Sequence, residues 1–516
     1  MKYVSVSEMI GIEKAADAAG HTYPAMMEAA GKGLAELIHE RYGSPEGKKV
    51  IALVGSGNNG GDALVALDYL LSWGWTGVVI FLRKRSELDP LIKRVAVRGA
   101  TLTEYLDPDQ SSLDLQLDIA MSDLLIDGVL GTGIKLPLRH PLDLLLGEVK
   151  EILEDLEKKP VIVAVDCPSG VDCDNGQVSP VCLAADLTVT MAAVKKGTLM
   201  FPAYEYLGEL EVVDIGLSSG LQAYDRISRE VIEKEWVFSS LPERPPTAHK
   251  GTFGTSLVVA GSLEFPGAAV LAGKSAYRIG SGLVTLAVPR GIYQGLIKTL
   301  PEATWIVLPE QGGGIAEEAG DIIRNSMKKP TACLVGPGFG MRSGTGKFLE
   351  KILQLEGLPP LVIDADGLRL LSGIVDWQKK LPNDCVLTPH PGEMSELTGL
   401  SVVQIQENRV EIAEEYAQHW KQIVLLKGAH SVIAAPDGRT KILISANPAL
   451  ARAGSGDVLA GMITGLIAQG LKPFDAAAAG AWIHAKAGEL AEETSGNSAA
   501  VLAGDISDSI GHILSR

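Results

Sequence analysis

The chain has 516 residues, 46% apolar and 21% charged, a globular balance that as a soft prior makes about two to four domains. Its 46 Lys and Arg stand against 63 Asp and Glu, a formal charge of −17, which argues against non-specific binding to nucleic acid or an anionic membrane. Aromatic residues are only 5%, and the longest uncharged runs, Tyr69 to Leu82 and Val458 to Leu471, fall short of the roughly 20 apolar residues that span a bilayer.

The first elements read as helices, one capped by Ser7 and running through Ala16, the next opened by Pro24 and running to Tyr42. Glu8 falls too early for a signal-peptide core. Short β-branched runs follow at Val50–Val54, Val78–Leu82, Leu124–Ile126, Val161–Val165 and Leu187–Met191, with helical segments between several of them. That alternation predicts an α/β domain with a mostly parallel sheet, ending near Val212–Ile215. Residues 217–240 and the proline-rich "LPERPPTAHKG" after them read as a connector. Strand runs resume at Ser256–Ala260, Leu283–Val288, Ala332–Val335, Leu361–Ile363, Cys385–Leu387 and Ile423–Leu426. A hairpin is expected over Ser431–Ala435 and Thr440–Ile444, and alanine-rich helices from Asn447 onward. The expected division is thus 1–216, a linker 217–240, and 241–516. Five cysteines (Cys167, Cys173, Cys182, Cys333, Cys385), odd in number and without a CxxC pair, fit neither a disulfide framework nor a zinc ribbon. A soluble, cytoplasmic protein is expected.

The glycine-rich turns carry the chemistry. Gly55 to Asp62 reads GSGNNGGD after a strand and formally contains GxGxxG. The acid expected about 20 residues on in a dinucleotide-binding turn is absent. Arg83, Lys84 and Arg85 stand there instead, which keeps an NADP-type dehydrogenase open. Asn58, Asn59 and Asp62 put amides and a carboxylate at a helix N-terminus, where N–H groups cradle phosphate and side-chain oxygens hold a hard cation. Simple helix capping is the other reading. Asp127, followed by Gly131-Thr132-Gly133, and Asp166, followed by Pro168-Ser169-Gly170, end two further strands on the same expected edge. In the second half "AGSGDVLAG" sets Gly454, Ser455 and Gly456 as an oxyanion loop before a helix, with Asp457 as candidate base. A capped helix N-terminus is again the bland alternative. No GxxxxGK[ST] occurs, so this is not a P-loop. GPGFG, DADG, TPHPGE and KGAH close four other strands, and His390 and His430 lack metal-ligand spacing to each other.

These motifs together resemble the bifunctional NAD(P)H-hydrate repair enzyme family. GSGNNGGD, DGVLGTG and VDCPSGVD are similar to its epimerase half. HKGTFGTSLVVAGS, GPGFG, DADGL, TPHPGE, KGAHS and AGSGDVLAG are similar to its ADP- or ATP-dependent dehydratase half. Ala63 and Ser455 replace the usual Gly and Thr, both small changes. The resemblance implies an α/β chain, a Rossmann-like three-layer domain followed by a ribokinase-like α/β domain. It implies that R and S hydrates of NADH and NADPH are interconverted and the S form dehydrated at the expense of a nucleotide.

Carried onto this sequence, Asn58, Asn59, Gly60, Gly61 and Asp62 contact the hydrate's phosphates. Gly131, Thr132, Gly133, Ile134, Lys135, Leu136 and Pro137 form the opposite wall. Asn59, Asp127 and Ser169 supply oxygens to a potassium ion, and Asp166 is the acid/base at the reacting aminal-like carbon. In the second half Asp457 is the base, and Phe339 and His390 line the hydrate pocket. Lys427, Gly428, Ala429, His430 and Ser431, with Asn447, Gly454, Ser455 and Gly456, hold the nucleotide. Magnesium is implied with the phosphates. ADP is favoured over ATP on resemblance to the bacterial fusion, and a homo-oligomer is implied. A vitamin or sugar kinase would use the same Asp457 loop, but such kinases seldom carry the first domain. A first domain that binds without catalysis also stays open.

Overall fold

The computed structural model describes residues 1–44, 46–81, 89–105 and 108–515, with backbone alone over 108–113. Arg83, Lys84 and Arg85, the basic cluster singled out above, lie outside the described residues. Two compact units divide at Arg229/Glu230, inside the 217–240 segment. That segment is more than a connector: it holds the helices Gln222–Asp225 and Lys234–Ser240 and the strand Arg229–Val231. Among the described residues no helix is long and apolar enough to cross a membrane.

In the N-terminal unit the first helix, Val6–Ala18, is capped by Ser5 and not by Ser7. The Ser5 hydroxyl accepts from Glu8 N at 3.2 Å and the Glu8 carboxylate accepts from Ser5 N at 2.7 Å, a reciprocal box that Ser7 cannot form with this register. The next helix, Tyr23–Tyr42, has Pro24 in its first turn as expected. Seven strands form one parallel sheet in the order Thr101–Glu104, Thr76–Phe81, Lys49–Val54, Leu124–Gly128, Val161–Val165, Leu187–Met191, Glu209–Val213. Alternate residues serve alternate faces. Val50, Ala52 and Val54 pack with Leu64 and Leu67 in one core, while Ile51 and Leu53 join Leu145, Leu146 and Val149 in another. Burial on both faces explains why the central strands read as unbroken apolar runs.

The chain leaves Lys49–Val54 toward one edge of this sheet and later returns beside it as Leu124–Gly128 to build toward the other. Connections at the carboxyl ends of these two neighbours diverge, which opens a crevice between them. Gly55 sits at that fork, and a Cβ there would stand 1.9 Å from the Val129 carbonyl oxygen, so only glycine lets the two turns meet.

The C-terminal unit repeats the plan. Its parallel strands run in the order Thr304–Leu308, Leu283–Pro289, Thr255–Val259, Ala332–Val335, Leu361–Ile363, Val386–Leu387, Ile423–Leu426. The antiparallel hairpin Val432–Ala434 and Thr440–Ile442 then extends the edge. The fork lies between Thr255–Val259 and Ala332–Val335, where Gly261 N donates to the Pro337 carbonyl at 2.8 Å. Helices Ser455–Ala468, Pro473–Ser495 and Ala503–Leu514 supply much of the core, the alanines of Pro473–Ser495 letting them approach closely.

Gly55→Ala is expected to destabilise the N-terminal unit by about 1–3 kcal/mol through overpacking. Gly57→Ala, whose Cβ meets nothing within 4 Å, should lose at most about 1 kcal/mol, as for a weakened helix cap. Calorimetric unfolding of the two variants separates the values.

Candidate active sites at the two sheet forks

In the N-terminal unit a cavity of about 730 Å³ occupies the fork. Its lining includes Gly55 to Asn59, Asp62, Val129 to Lys135 and Asp166, so turns distant in sequence converge as expected. Gly57 caps the helix Asn58–Ser72, whose first N–H groups lack intrahelical partners and suit an anion. Gly60 and Gly61 are buried in that helix's first turn, and neither they nor Leu136 and Pro137 line the cavity. At Gly61 the glycine is a packing matter: a Cβ there would press on the Met27 sulfur at 2.6 Å.

Asp127 is fully buried at a strand end. It accepts from Ser169 N at 2.7 Å, from the Ser169 hydroxyl, and from Val129 N at 3.4 Å. Burial raises its proton affinity, and those hydrogen bonds oppose the rise. No cationic side chain among the described residues pairs with it. Asn59 donates to the Leu130 carbonyl at 2.9 Å and Ser169 Oγ accepts from Leu130 N at 2.9 Å, which ties amide, hydroxyl and carboxylate to one wall loop.

Asp166 ends the next strand with φ 64°, a left-handed conformation that strains a non-glycine residue and that Asp tolerates better than most. One carboxylate oxygen accepts from Thr190 Oγ1 at 3.0 Å, from Met191 N at 3.0 Å and from Lys195 Nζ. Lys195 is 1% exposed. Glu13, from the first helix, lines the same cavity. Neither Lys195 nor Glu13 was legible as a site residue in the sequence: one stands in the plain run "AVKKG", the other in an amphipathic helix. Asp62 is raised well above the ordinary carboxyl range by burial first, then by the charges of Asp166 and Glu13, with Lys195 opposing. Glu13 is raised by burial, with Lys195 opposing and Asp166 adding.

In the C-terminal unit Gly454, at φ 90°, turns the chain into the helix Ser455–Ala468, with Asp457 in its first turn. The Ser455 hydroxyl donates back to the Leu450 carbonyl at 2.7 Å and so stabilises the loop. Asp364 is buried and accepts from Thr388 Oγ1 at 2.7 Å and Lys427 Nζ at 2.6 Å. Glu393 lies 3.7 Å from the same ammonium. A Cβ on Gly456 would stand 3.5 Å from Lys427 Nζ and 3.8 Å from Asp364 Oδ2, which brings the helix N-terminus against this charge cluster. Burial pushes Asp457 up to about 7, aided by repulsion from Asp364 and opposed by Lys427.

The other expected residues divide. His390 serves as a helix cap, its Nδ1 accepting from Gly392 N at 3.0 Å and Glu393 N at 3.2 Å. Phe339 is fully buried, edge-on to Phe348, so its ring offers no open surface. Gly428 and Ala429 are exposed, and Ser431 donates to the Gly428 carbonyl at 3.0 Å. His430 is buried, and that burial with the Arg409 charge pushes it down to about 4, leaving a neutral ring. Asn447 uses Oδ1 to cap the turn Pro448–Leu450. His484, not expected, lies buried behind Ser455 and is likewise pushed down to about 4 by burial.

Comparison with known proteins covers both units. The family model described as YjeF-related protein N-terminus matches residues 24–197, and that described as NAD(P)H-hydrate dehydratase matches residues 256–512. A bifunctional NAD(P)H-hydrate repair enzyme of Moorella thermoacetica is 37% identical over 95% of this chain and 92% of its own length. That of Thermofilum pendens is 36% identical over 96% and 93%. The crystal structure of an ADP/ATP-dependent NAD(P)H-hydrate dehydratase from Bacillus subtilis, co-crystallised with ATP and Mg2+, covers 56% of this chain and 98% of its own at 30% identity and TM-score 0.49. With end-to-end similarity to those relatives and a family match in each unit, the chain belongs to the bifunctional NAD(P)H-hydrate repair enzyme family.

Proposed function

We propose that this chain repairs hydrated nicotinamide cofactors, residues 1–216 interconverting the R and S hydrates of NADH and NADPH and residues 241–516 dehydrating the S form. The observation that carries the reading is a set of acids at the carboxyl edge of each sheet, Asp166 with Asp62 in the first unit and Asp457 in the second, each set beside a helix N-terminus. ADP serves as phosphoryl donor and leaves as AMP, the substrates are small molecules rather than nucleic acid, and the chain works in the cytoplasm as a homo-oligomer.

The hydrate carries its hydroxyl on a ring carbon bonded to nitrogen. Hydroxide leaves poorly; phosphate leaves well. Asp457, with a proton affinity near neutrality, takes the hydroxyl proton as that oxygen attacks the terminal phosphoryl group. The N–H groups opening Ser455–Ala468 and the Lys427 ammonium face the charge that develops. Phosphate then departs, pushed by the ring nitrogen, and the reduced cofactor is regenerated. A kinase would retain the phosphorylated product, which the same assay detects.

The donor set at the first fork fits potassium: one buried carboxylate without a cationic partner, an amide, a hydroxyl and the Leu130 carbonyl, all hard oxygens. Asn59, Asp127 and Ser169 would hold the ion, which supplies the charge that Asp127 otherwise lacks. No cluster of three or more His, Cys, Asp or Glu able to hold a metal occurs among the described residues, so magnesium belongs with the nucleotide's phosphates rather than in a protein cage.

Incubation of mixed S and R NADPH hydrates with ADP, ATP or neither should restore all reduced cofactor with ADP. Asp457→Ala should abolish recovery, and recovery of the S form alone would reject the epimerase assignment. Ionised Asp457 grows as pH rises, so dehydration should climb about tenfold per pH unit below pH 7 and level off above it. Potassium should stabilise the N-terminal unit against unfolding, by up to about 2–3 kcal/mol at about a hundred times its dissociation constant, and Asp127→Asn should lose that response in calorimetry.

A further inference from the structure

Three carboxyl groups and one ammonium meet around the N-terminal cavity, and the reading above gives work to only one of them. Among the described residues Lys195 is one of the largest fully buried side chains, beside Phe339 and Phe348. An ammonium held away from water is strongly destabilising unless paired and hydrogen-bonded. Its three protons are all committed: to Asp166 Oδ1, to Thr190 Oγ1 at 2.9 Å and to the Met191 carbonyl at 2.8 Å. None is left to turn toward a substrate.

The same Oδ1 of Asp166 takes the Thr190 hydroxyl and the Met191 amide, each at 3.0 Å. Three donors therefore converge on one oxygen. Among the described residues no donor reaches Oδ2, and Asp166 lines the cavity, so the free oxygen offers lone pairs to a bound molecule. Asp62 enters from the helix Asn58–Ser72 and Glu13 from Val6–Ala18, both lining the same space. Among the described residues no cation lies within ion-pair distance of either. Lys135 and Arg139 are the other charged side chains on the lining.

On the epimerase reading, we propose that Lys195 is a positioning residue that divides the proton work of the site, Asp166 taking a proton and Asp62 giving one. The C–O bond of the hydrate breaks with its pair going to oxygen, which accepts the Asp62 proton and leaves as water. The ring nitrogen's lone pair closes a C=N bond. Water then adds to the opposite face and gives a proton to Asp166 Oδ2. One proton is given and one taken, nothing is oxidised, and exchange with solvent restores the starting state. The environment agrees: burial and the neighbouring charges of Asp166 and Glu13 favour the protonated form of Asp62, with Lys195 opposing.

Infrared difference spectra of the full chain at pH 7 test the charge assignment without substrate. Asp62→Asn should remove a protonated-carboxyl band, and Asp166→Asn only carboxylate absorption. Lys195→Met should add a protonated-carboxyl band that Lys195→Arg does not. In the epimerisation assay Asp62→Asn and Lys195→Met should each lower kcat about a hundredfold or more, the scale of a lost proton-transfer group, with little change in KM. Lys195→Arg should recover much of the rate. An Asp62→Asn spectrum that loses no protonated band overturns the proposal, as does a folded Lys195→Met protein epimerising at the original rate. Where Lys195→Met fails to fold, the Asp62→Asn and Lys195→Arg arms decide. Bands as expected in a chain that does not epimerise would reject the epimerase reading and leave the charge assignment standing.

Discussion

Two parallel strands that share hydrogen bonds must part at their carboxyl ends when their connections leave in opposite directions, and the N-terminal site is built on that divergence. The sheet spends its backbone groups on itself up to Val54 and Gly128, and beyond them the chain must turn at once. The absent side chain of Gly55 lets one turn touch the carbonyl of Val129, and that contact sets the width of the mouth. Loops after each strand then deliver their acids to a common rim, which no single element could do alone.

At the carboxyl edge of each sheet a Lys–Asp pair shielded from water stands next to a second, desolvated acid. Lys195 with Asp166 stands beside Asp62, and Lys427 with Asp364 stands beside Asp457. Burying a lone carboxylate or ammonium is strongly unfavourable, whereas a pair that also satisfies its remaining hydrogen bonds is tolerated. Thr190 and Met191 satisfy the first pair, and Thr388 satisfies part of the second. The pair fixes a local field, and the neighbouring acid, desolvated and repelled by its companion carboxylate, is tuned by it.

Much of this was legible because central parallel strands must be apolar on both faces, so Val161–Val165 and Ala332–Val335 announce themselves with their bounds. Thr101–Glu104 did not: as an exposed edge strand it needs no apolar pattern, and "TLTE" has none. Thr304–Leu308 carries a Trp-Ile-Val run and could have been taken as a strand from pattern alone. The acids at strand ends were visible as residue types beside glycines, but their partners were not. Lys195 and Lys196 look alike in sequence; register against Lys2–Val4, which sets Val4 opposite Lys195, places Lys195 in a buried strand while Lys196 begins the next turn. Phe339 fails the other way, since a glycine-flanked aromatic looks exposed and here packs on Phe348 in the following helix, a contact unseen without the fold.

On the proposed chemistry the two sites would solve one chemical problem with the same physical shift used in opposite senses. Removing a hydroxyl needs either a proton delivered to it or a phosphoryl group placed on it. At a fork with no phosphoryl donor, an acid is useful only if it still holds its proton near neutrality, and burial together with the charges of Asp166 and Glu13 shifts Asp62 in that direction. At a fork that takes a nucleotide, the hydroxyl must become the nucleophile, and the acid is useful only once its proton is gone. Asp457 sits near 7, where half the population is ready and the conjugate acid is still strong enough to pass its proton on. Desolvation and the Asp364 charge raise it, and the Lys427 ammonium opposes the rise. On that chemistry the separation of proton donor from proton acceptor follows from where each lysine stands: Lys195 pairs with Asp166 and, among the described residues, no cation pairs with Asp62, whereas the Lys427 charge opposes the rise at Asp457.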